Sequence, residues 1–545
     1  MRQWCLSLLG VWMAYAAAEP VVFTNVNGYT LDTHNHLQKF QYLVIDGDKV
    51  IEVGHTLPAR WQSDKTVHID MRGRTLLPGL IDAHGHIMGL GFQLLQLDVT
   101  DTKSAEDVAN RVKAFAKRHP KGWLLGRGWN QENWQTPVFP TKAVLDNVSG
   151  DRPVWLRRID GHAGWANSAA LRLAGIDKNT PDPKGGTIVR NEKGEPTGIL
   201  IDNAMALVES KIPKPTATQR LKAFKQAQAH LLSLGVTAVH DAGIDADTER
   251  LYRELQQANA LNIRIYGMLS ATRPDLAKRL QEGFYGNSCD WLSIRSIKAY
   301  ADGALGSRGA RLSEDYHDMP HHRGLWVSQP ERLAQLITLA STYKFQINIH
   351  AIGDAANHFV LNELHTRLDD TQRKTLRPRI EHAQILKVED IPRFRQWHII
   401  ASMQPTHATS DMWMAEKRLG KARLQGAYPW RSLLDSGAIL ASGTDFPVEP
   451  ANPFYTWHAA VTRQKRDNTP PGGWLPKEKM SVVEAFKTMT AWAAYAGFAE
   501  QCLGKLQPGY LADFIVTDRD PFKEKPEHLH TIRVLETWTG GIRRF

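Results

Sequence analysis

Three His-x-His pairs occur in the chain, and only His84 and His86 end a strand-like apolar run. Side chains two positions apart on a strand share a face, so two imidazole nitrogens there can bind one metal ion. The other two pairs are His34/His36 and His528/His530. These pairs lie in polar or proline-containing segments, which is typical of solvated side chains. We therefore expect only His84 and His86 to bind metal.

Four further residues able to serve a metal site end other strand-like runs. His350 ends "QINIH", His382 lies in "RIEHA", and Asp445 ends "ILASGTD". Lys298, in "SIKAYADG", has apolar neighbours, and beside a cation its amine must be deprotonated. Reaction of that amine with CO2 would give a carbamate with two oxygens able to bridge two metals. We expect all of these residues to converge at one end of the strands.

Apolar runs of this kind alternate with helical stretches between residues 75 and 448, the pattern of repeated βα units. The eight runs are residues 75–86, 235–243, 263–269, 296–303, 346–354, 379–384, 399–407 and 439–448. Eight parallel strands with crossover helices close into a barrel whose functional residues gather at the carboxyl ends of the strands. The predicted fold class is therefore α/β, a (β/α)8 TIM-type barrel.

The predicted barrel spans residues 77–500 and carries additions. Short strand-like segments at 19–76 and 501–545 are predicted to pair into one flanking β-sandwich. Residues 120–205 are too long for an ordinary connection after the first barrel strand, so we expect an insertion that acts as a lid. Trp129, in its tryptophan-rich "GRGWNQENW" segment, is a predicted substrate contact.

Composition excludes several classes of protein. The 545 residues contain 42% hydrophobic side chains, as expected of a folded chain with a sizeable core. The net charge of +10 is dispersed without a basic run, which argues against nucleic acid as a partner. The chain lacks the Gly-x-Ser-x-Gly motif of serine hydrolases. Of three cysteines, Cys289 and Cys502 lie outside the first 18 residues, so the mature chain has at most one disulfide.

Residues 1–18 resemble a signal peptide: Arg2 is followed by an apolar stretch and then Ala16-Ala17-Ala18. The stretch is shorter than the roughly 20 residues that span a bilayer. We expect an exported protein, periplasmic or secreted, with no integral membrane segment after cleavage. An apolar first strand or a membrane tether is the alternative interpretation.

Motifs along nearly the whole mature chain resemble the amidohydrolase superfamily, in its amidohydrolase 3 branch related to YtcJ and N-substituted formamide deformylase. The motifs are "LLPGLIDAHGH", "DGHAGWANSAAL", "IKAYADGALGSRGA", "NIHAIGDAAN", "EHAQ", "SGTDFPV", "AFKTMTAWAA" and "GKLQPGYLADFIV". The resemblance implies a metal-dependent hydrolase. It assigns His84, His86 and Asp445 to the more buried metal, His350 and His382 to a second, and carboxylated Lys298 to the bridge between them.

The implied cofactor is one or two divalent ions. Imidazole and carboxylate ligands suit Zn, and Mn, Co, Ni or Fe fit the same donors. The implied reaction is attack of a metal-bound hydroxide on a C–N bond of a small amide, formamide or cyclic amide, with Asp445 as the catalytic proton shuttle. Ester or lactone hydrolysis, deamination, and an inactive binding or scaffold protein on the same fold are the alternatives. A homodimer is compatible with the sequence.

Three further side chains are predicted substrate contacts. His162 lies in the "DGHAGWANSAAL" motif. Asp302 shares a strand face with Lys298 by the two-residue period, and it could instead support a ligand or serve as a turn residue. Arg308, in "GSRGA", would contact substrate or cap a helix.

The first testable prediction concerns export. The mature protein should begin at Glu19, because Ala18 completes the small-x-small cleavage site. N-terminal sequencing of protein exported by its native host measures this directly. A cytosolic mature protein that begins at Met1 would contradict it.

Overall fold

The computed structural model describes residues 19–63 and 65–545, so the predicted signal peptide lies outside the described residues. The chain begins with short strands. They are β1 (Val21–Thr24), β2 (Asn27–Leu31), β3 (Leu37–Phe40), β4 (Tyr42–Asp46), β5 (Lys49–Gly54), β6 (Val67–Asp70) and β7 (Thr75–Pro78). Strands β4 and β5 form a hairpin, and Gly47 takes the left-handed conformation that its turn requires.

The barrel starts with β8 (Leu80–Gly85) and α1 (Ile87–Leu95), and an inserted unit follows. Its strands are β9 (Leu97–Asp98), β10 (Leu124–Trp129), β11 (Val154–Arg158), β12 (Ala163–Ala166), β13 (Gly186–Arg190) and β14 (Pro196–Asp202). Its helices are α2 (Ala105–Arg118), α3 (Lys142–Ser149), α4 (Ser168–Ala174) and α5 (Met205–Glu209). The six strands form a sheet of their own, in the order β13-β14-β12-β11-β10-β9. The inserted sheet therefore begins at Leu97, earlier than the predicted start at residue 120.

The remaining barrel strands coincide with the other seven predicted runs. They are β15 (Val236–Ile244), β16 (Arg264–Ser270), β17 (Leu292–Tyr300), β18 (Gln346–Ala351), β19 (Arg379–His382), β20 (Ile400–Met403) and β21 (Leu440–Ser442). Together with β8 they form one parallel sheet in the order β21-β20-β19-β18-β17-β16-β15-β8. Their nearly continuous burial is typical of parallel strands covered on both faces. The predicted TIM-type barrel is confirmed.

Helices separate these strands along the chain and follow the last of them. They are α6 (Ala217–Ser233), α7 (Ala246–Gln257), α8 (Leu276–Gln281), α9 (Pro330–Thr342), α10 (Asp354–Arg367), α11 (Asp370–Leu376), α12 (Ile391–Gln396), α13 (Pro405–Leu419), α14 (Trp430–Asp435), α15 (Pro453–Thr462), α16 (Val482–Thr488) and α17 (Ala491–Ala496). Sequence signals set several of their starts. Thr216 with Gln219, and Ser481 with Glu484, form capping boxes at the starts of α6 and α16.

The last and first barrel strands meet at a seam that polar groups join. The backbone N–H of Asp445 donates to the carbonyl of His84 at 2.7 Å, and that of His86 donates to Phe446 at 2.8 Å. The buried Asp82 carboxylate accepts hydrogen bonds from the Thr444 hydroxyl at 2.7 Å and from the backbone N–H of Thr444 and of His84 at 3.1 Å. These contacts bring the carboxyl ends of β21 and β8 together.

The C-terminal strands return to the first part of the chain. They are β22 (Phe514–Thr517), β23 (Val534–Thr539) and β24 (Ile542–Arg543). Strand β22 pairs antiparallel with β7 and β23, which completes a six-stranded sheet of both termini. Phe23, on the four-stranded sheet β5-β4-β1-β6, packs against Phe514 and Trp538 with ring centroids 5.2 Å apart. Both ends of the chain therefore share one hydrophobic core beside the barrel.

Cys289 and Cys502 form a disulfide, which answers the question of pairing that the sequence left open. The bond joins the segment before β17 to the segment before β22, across 213 residues of sequence. Among the described helices, none is both long and apolar enough to cross a membrane.

The disulfide yields the second testable prediction. Replacing both Cys289 and Cys502 with serine should lower the free energy of unfolding by about 2–4 kcal/mol, because the unfolded chain loses a long covalent loop. Urea denaturation of oxidised protein measures the change. A reductant should destabilise the wild type and leave the double variant unaffected, and an equally stable double variant would contradict the prediction.

Candidate metal centre

His84 is the most deeply fixed of the predicted ligands. It is fully buried near the end of β8, and its Nδ1 forms a hydrogen bond with the Glu381 carboxylate. Glu381 in turn pairs with Arg379, with an Nε–Oε1 distance of 2.8 Å. Burial raises the pKa of Glu381, but the charges of Arg379 and His84 outweigh burial and hold the pKa below its ordinary value. A carboxylate bonded to Nδ1 leaves Nε2 of His84 as the metal-binding nitrogen.

His86 and Asp445 meet across the seam. Nε2 of His86 lies 2.9 Å from Oδ1 of Asp445, while Nδ1 of His86 donates to the Ala242 carbonyl at 2.9 Å. Oδ1 of Asp445 is buried and has no hydrogen-bond partner among the described residues. A ring nitrogen and a carboxylate oxygen that lie this close without a hydrogen bond fit two ligands directed at a common ion. His84, His86 and Asp445 indeed form a group with metal-binding spacing.

A second group shares Asp445 and includes a residue that the sequence analysis missed. Ligand atoms of His382, His407 and Asp445 lie within 4.8 Å of one another. Nδ1 of His382 donates to the side chain of Gln404 at 2.7 Å, which leaves its Nε2 free. Nε2 of His407 is buried without a hydrogen-bond partner among the described residues, 3.7 Å from Oδ2 of Asp445. His407 ends the seventh apolar run, "IIASMQPTH", so the rule that selected His350 could have found it.

His350 and Lys298 complete the predicted set. The His350 ring lies 4.6 Å from the His382 ring, centroid to centroid, and Nζ of Lys298 lies 3.1 Å from Nε2 of His84. Burial lowers the pKa of both His350 and His382 well below the ordinary value, which favours the neutral imidazole that binds metals. Burial also lowers the pKa of Lys298 to about 8. The structure therefore brings all six predicted metal-site residues together.

A cavity of about 1280 Å³ opens above these residues. Barrel loops and the inserted unit both line it, and the predicted contact His162 faces it next to His350. The lining also includes Trp134, Asp160 and Asp411. The volume accommodates a small molecule.

Three predicted substrate contacts do not reach this cavity. Trp129 is fully buried in the core of the inserted unit, where its indole N–H donates to the Leu156 carbonyl at 2.7 Å. The buried Asp302 carboxylate accepts three backbone hydrogen bonds, from Ile352, Gly353 and Arg311. Arg308 pairs with Asp318 at 2.9 Å, outside the cavity lining. Each of these polar groups has partners elsewhere, so the structure does not place the three side chains at the cavity, and Asp302 instead lies 3.5 Å from Nε2 of His350.

Comparison with known proteins agrees with this geometry. The model of the Amidohydrolase family matches residues 68–544. Protein LONG AFTER FAR-RED 3 of Arabidopsis thaliana is 34% identical over 94% of this chain and 90% of its own length. YtcJ of Bacillus subtilis (strain 168) is 34% identical over 89% and 92%, and the N-substituted formamide deformylase of Arthrobacter pascens is 26% identical over 96% and 98%.

A solved structure shows the same fold. The crystal structure of an uncharacterized metal-dependent hydrolase from Pyrococcus horikoshii OT3 superposes with a TM-score of 0.75 and 28% sequence identity. The match covers 93% of this chain and 99% of the other. Two groups of histidines that share Asp445 lie at the cavity, as expected of a hydrolase with a divalent-metal site. The chain belongs to the Amidohydrolase family.

Proposed function

We propose that this amidohydrolase cleaves a C–N bond of a small amide, formamide or cyclic amide in the cavity above His350 and His382. The observation that carries the proposal is Asp445, whose buried carboxylate joins both groups of histidines and faces the cavity. The name of the Arthrobacter pascens relative, a formamide deformylase, supports this bond type. A divalent ion held by these side chains would supply a Lewis acid for the carbonyl and would activate water.

The residues around Asp445 keep its carboxylate ionised. Burial raises its pKa, but His86, with Nε2 2.9 Å from Oδ1, and the charges of His84 and His382 hold the pKa well below the ordinary value. The carboxylate is therefore ionised when substrate binds. It can take a proton from the attacking water and return it to the leaving nitrogen. Because water is the nucleophile, the reaction requires no serine or cysteine side chain in that role.

A substrate screen tests this function. N-formyl amines, N-acyl amino acids and cyclic ureides should be hydrolysed, and a chelator should abolish turnover until a divalent metal is restored. Aryl esters, lactones and aminopurines belong in the same screen, because the same groups could serve ester hydrolysis or deamination. The proposal would be overturned if metal-loaded protein hydrolysed only esters or aminopurines. It would also be overturned if that protein turned over no compound of any class.

The third testable prediction concerns proton transfer. Asp445→Asn should lower kcat at least about a hundredfold in protein that still binds metal, because the amide cannot accept the proton. Stopped assays with metal content measured on the same sample test this. Asp101→Asn is the matched control, since Asp101 is an exposed carboxylate at the cavity. A normal kcat in Asp445→Asn would assign the proton to another group.

The fourth prediction concerns the metal ligands. His84→Ala, His350→Ala, His382→Ala and His407→Ala should each lower bound metal, because each removes an imidazole from the centre. His34→Ala and His528→Ala carry the same local motif on exposed segments and serve as controls. Elemental analysis after dialysis identifies the metal and counts it. Equal losses in the controls would show that the ligands lie elsewhere.

We also propose that Lys298 is carboxylated. Its buried amine lies beside His84, and a pKa near 8 leaves part of it neutral at neutral pH, the form that attacks CO2. The new N–C bond gives a carbamate and releases one proton. The product would bring two oxygens and a negative charge to the centre.

The fifth prediction follows from that carbamate. Lys298→Ala should lose most activity and recover part of it with propionate, since a small carboxylate can occupy the vacated space. Lys298→Met, which fills the space, should not be rescued. Full metal occupancy with unchanged turnover in Lys298→Ala would exclude the bridge.

Export remains our proposal for the location of the protein. The paired Cys289 and Cys502 support it, because disulfides persist mainly in oxidising compartments outside the cytosol.

A further inference from the structure

His162 is held by a carboxylate on the neighbouring strand of the inserted sheet. Strands β12 and β14 pair antiparallel with Ala163 opposite Ile201, which places His162 opposite Asp202. The backbone N–H of Asp202 donates to the His162 carbonyl at 3.0 Å, and the His162 Nδ1 to Asp202 Oδ1 distance is 2.6 Å. The pair thus joins the start of β12 to the end of β14, and only the imidazole lines the cavity.

The Asp202 carboxylate enters the barrel loop that follows β17. A Cβ atom added to either Gly303 or Gly309 would lie 2.5 Å from Oδ2 of Asp202, closer than side chains can approach. Neither glycine has the left-handed backbone that would by itself require glycine. Asp202 does take that conformation, with φ of 48°. These glycines in "ADGALGSRGA" therefore leave the space that the carboxylate fills.

The position of His162 matters for the metal centre. Its ring lies 5.2 Å from the His350 ring, centroid to centroid. Because Nδ1 is engaged by Asp202, Nε2 is the nitrogen left for a molecule in the cavity. The Asp202 side chain is only 1% exposed, so it reaches such a molecule only through His162.

Other contacts fix the inserted unit against the barrel near this pair. Glu132 of the insertion pairs with the buried Arg418 of α13 at 2.6 Å. The amide of Asn203, next to Asp202, donates to the Val327 carbonyl at 3.2 Å. The buried Glu132–Arg418 pair favours one fixed arrangement, because separating its charges would leave them unpaired. The insertion is thus a wall of the cavity held at several points.

We infer that Asp202 is a positioning residue that holds His162 in one tautomer and orientation, so that its Nε2 hydrogen-bonds the substrate beside His350. The inference rests on the proposed hydrolase function for its effect on turnover. A carboxylate behind a histidine fixes which ring nitrogen faces the site, and loss of such a group costs about 10- to 100-fold in activity or affinity at comparable sites. The two glycines then serve catalysis indirectly, by admitting the carboxylate.

The direct test is NMR of protein labelled with ¹⁵N-histidine. The wild type should show His162 with its proton on Nδ1, assigned by loss of the signals in His162→Gln. Asp202→Asn, which keeps the shape of the side chain, should change the His162 ring shifts and lower kcat/KM about 10- to 100-fold. Asp182→Asn is the control, since Asp182 is a carboxylate of the same inserted unit paired with Arg190 at 2.7 Å.

The glycine loop supplies an independent test. Gly303→Ala should displace Asp202 and reproduce the altered His162 shifts and the lower kcat/KM. In an Asp202→Ala background the same glycine change should cost little more, because the clashing carboxylate is gone. Additive effects of the two changes would overturn the clash.

Unchanged His162 shifts and unchanged kcat/KM in folded Asp202→Asn would overturn the positioning role. If the wild type hydrolyses none of the compounds in the screen, the proposed function fails. The NMR comparison still decides whether Asp202 sets the His162 tautomer.

Discussion

The metal centre depends on one buried ion pair, between Arg379 and Glu381. Both side chains are fully buried inside the barrel, and removing two charges from water costs several kcal/mol. Arg379 offsets part of this cost by donating to the Ala83 carbonyl at 2.7 Å and to the Ser402 hydroxyl at 2.8 Å. It thereby links β19 to β8 and β20. Two well-packed apolar side chains could stabilise the fold as much as this ion pair does. The pair is therefore better explained by the hydrogen bond through which Glu381 orients His84.

The contacts that join the first and last barrel strands also bring candidate ligands together. His84 and His86 lie at the end of the first barrel strand, and Asp445 lies after the last. Backbone hydrogen bonds from Asp445 to His84 and from His86 to Phe446 join the two strands. Gly443 is part of this arrangement, since a Cβ atom there would collide with the backbone of His84. A mispaired last strand would therefore lose the shared carboxylate together with the closed sheet.

The barrel and the inserted unit contribute different residues to the cavity. The barrel holds the candidate metal ligands at or just after the carboxyl ends of its strands, and burial of those strands on both faces limits movement of the ligands. The inserted unit has its own core, in which Trp129, Trp134 and Trp165 pack with ring centroids 6.0–6.4 Å apart. It contributes His162 to the cavity from the residue just before β12, a central strand of its sheet.

The sequence by itself determined the barrel and most of its centre. Apolar runs indicate buried strands. When eight parallel strands close into a barrel, ligand-type residues at their carboxyl ends must come together at one end of it. His84, His86, His350, His382 and Asp445 could therefore be named from spacing and context. His407 obeys the same rule, although it lies two residues after the proline that starts α13 rather than on the strand itself.

Tertiary structure decided which polar side chains face the cavity. Local sequence does not reveal distant partners: Asp302 is occupied by backbone amides of residues 311, 352 and 353, and Arg308 by Asp318. A tryptophan-rich segment likewise does not show whether its rings pack inward or line a pocket. Asp202 and Gly303 are about a hundred positions apart, and only the packing of the inserted sheet on the barrel brings carboxylate and glycine together.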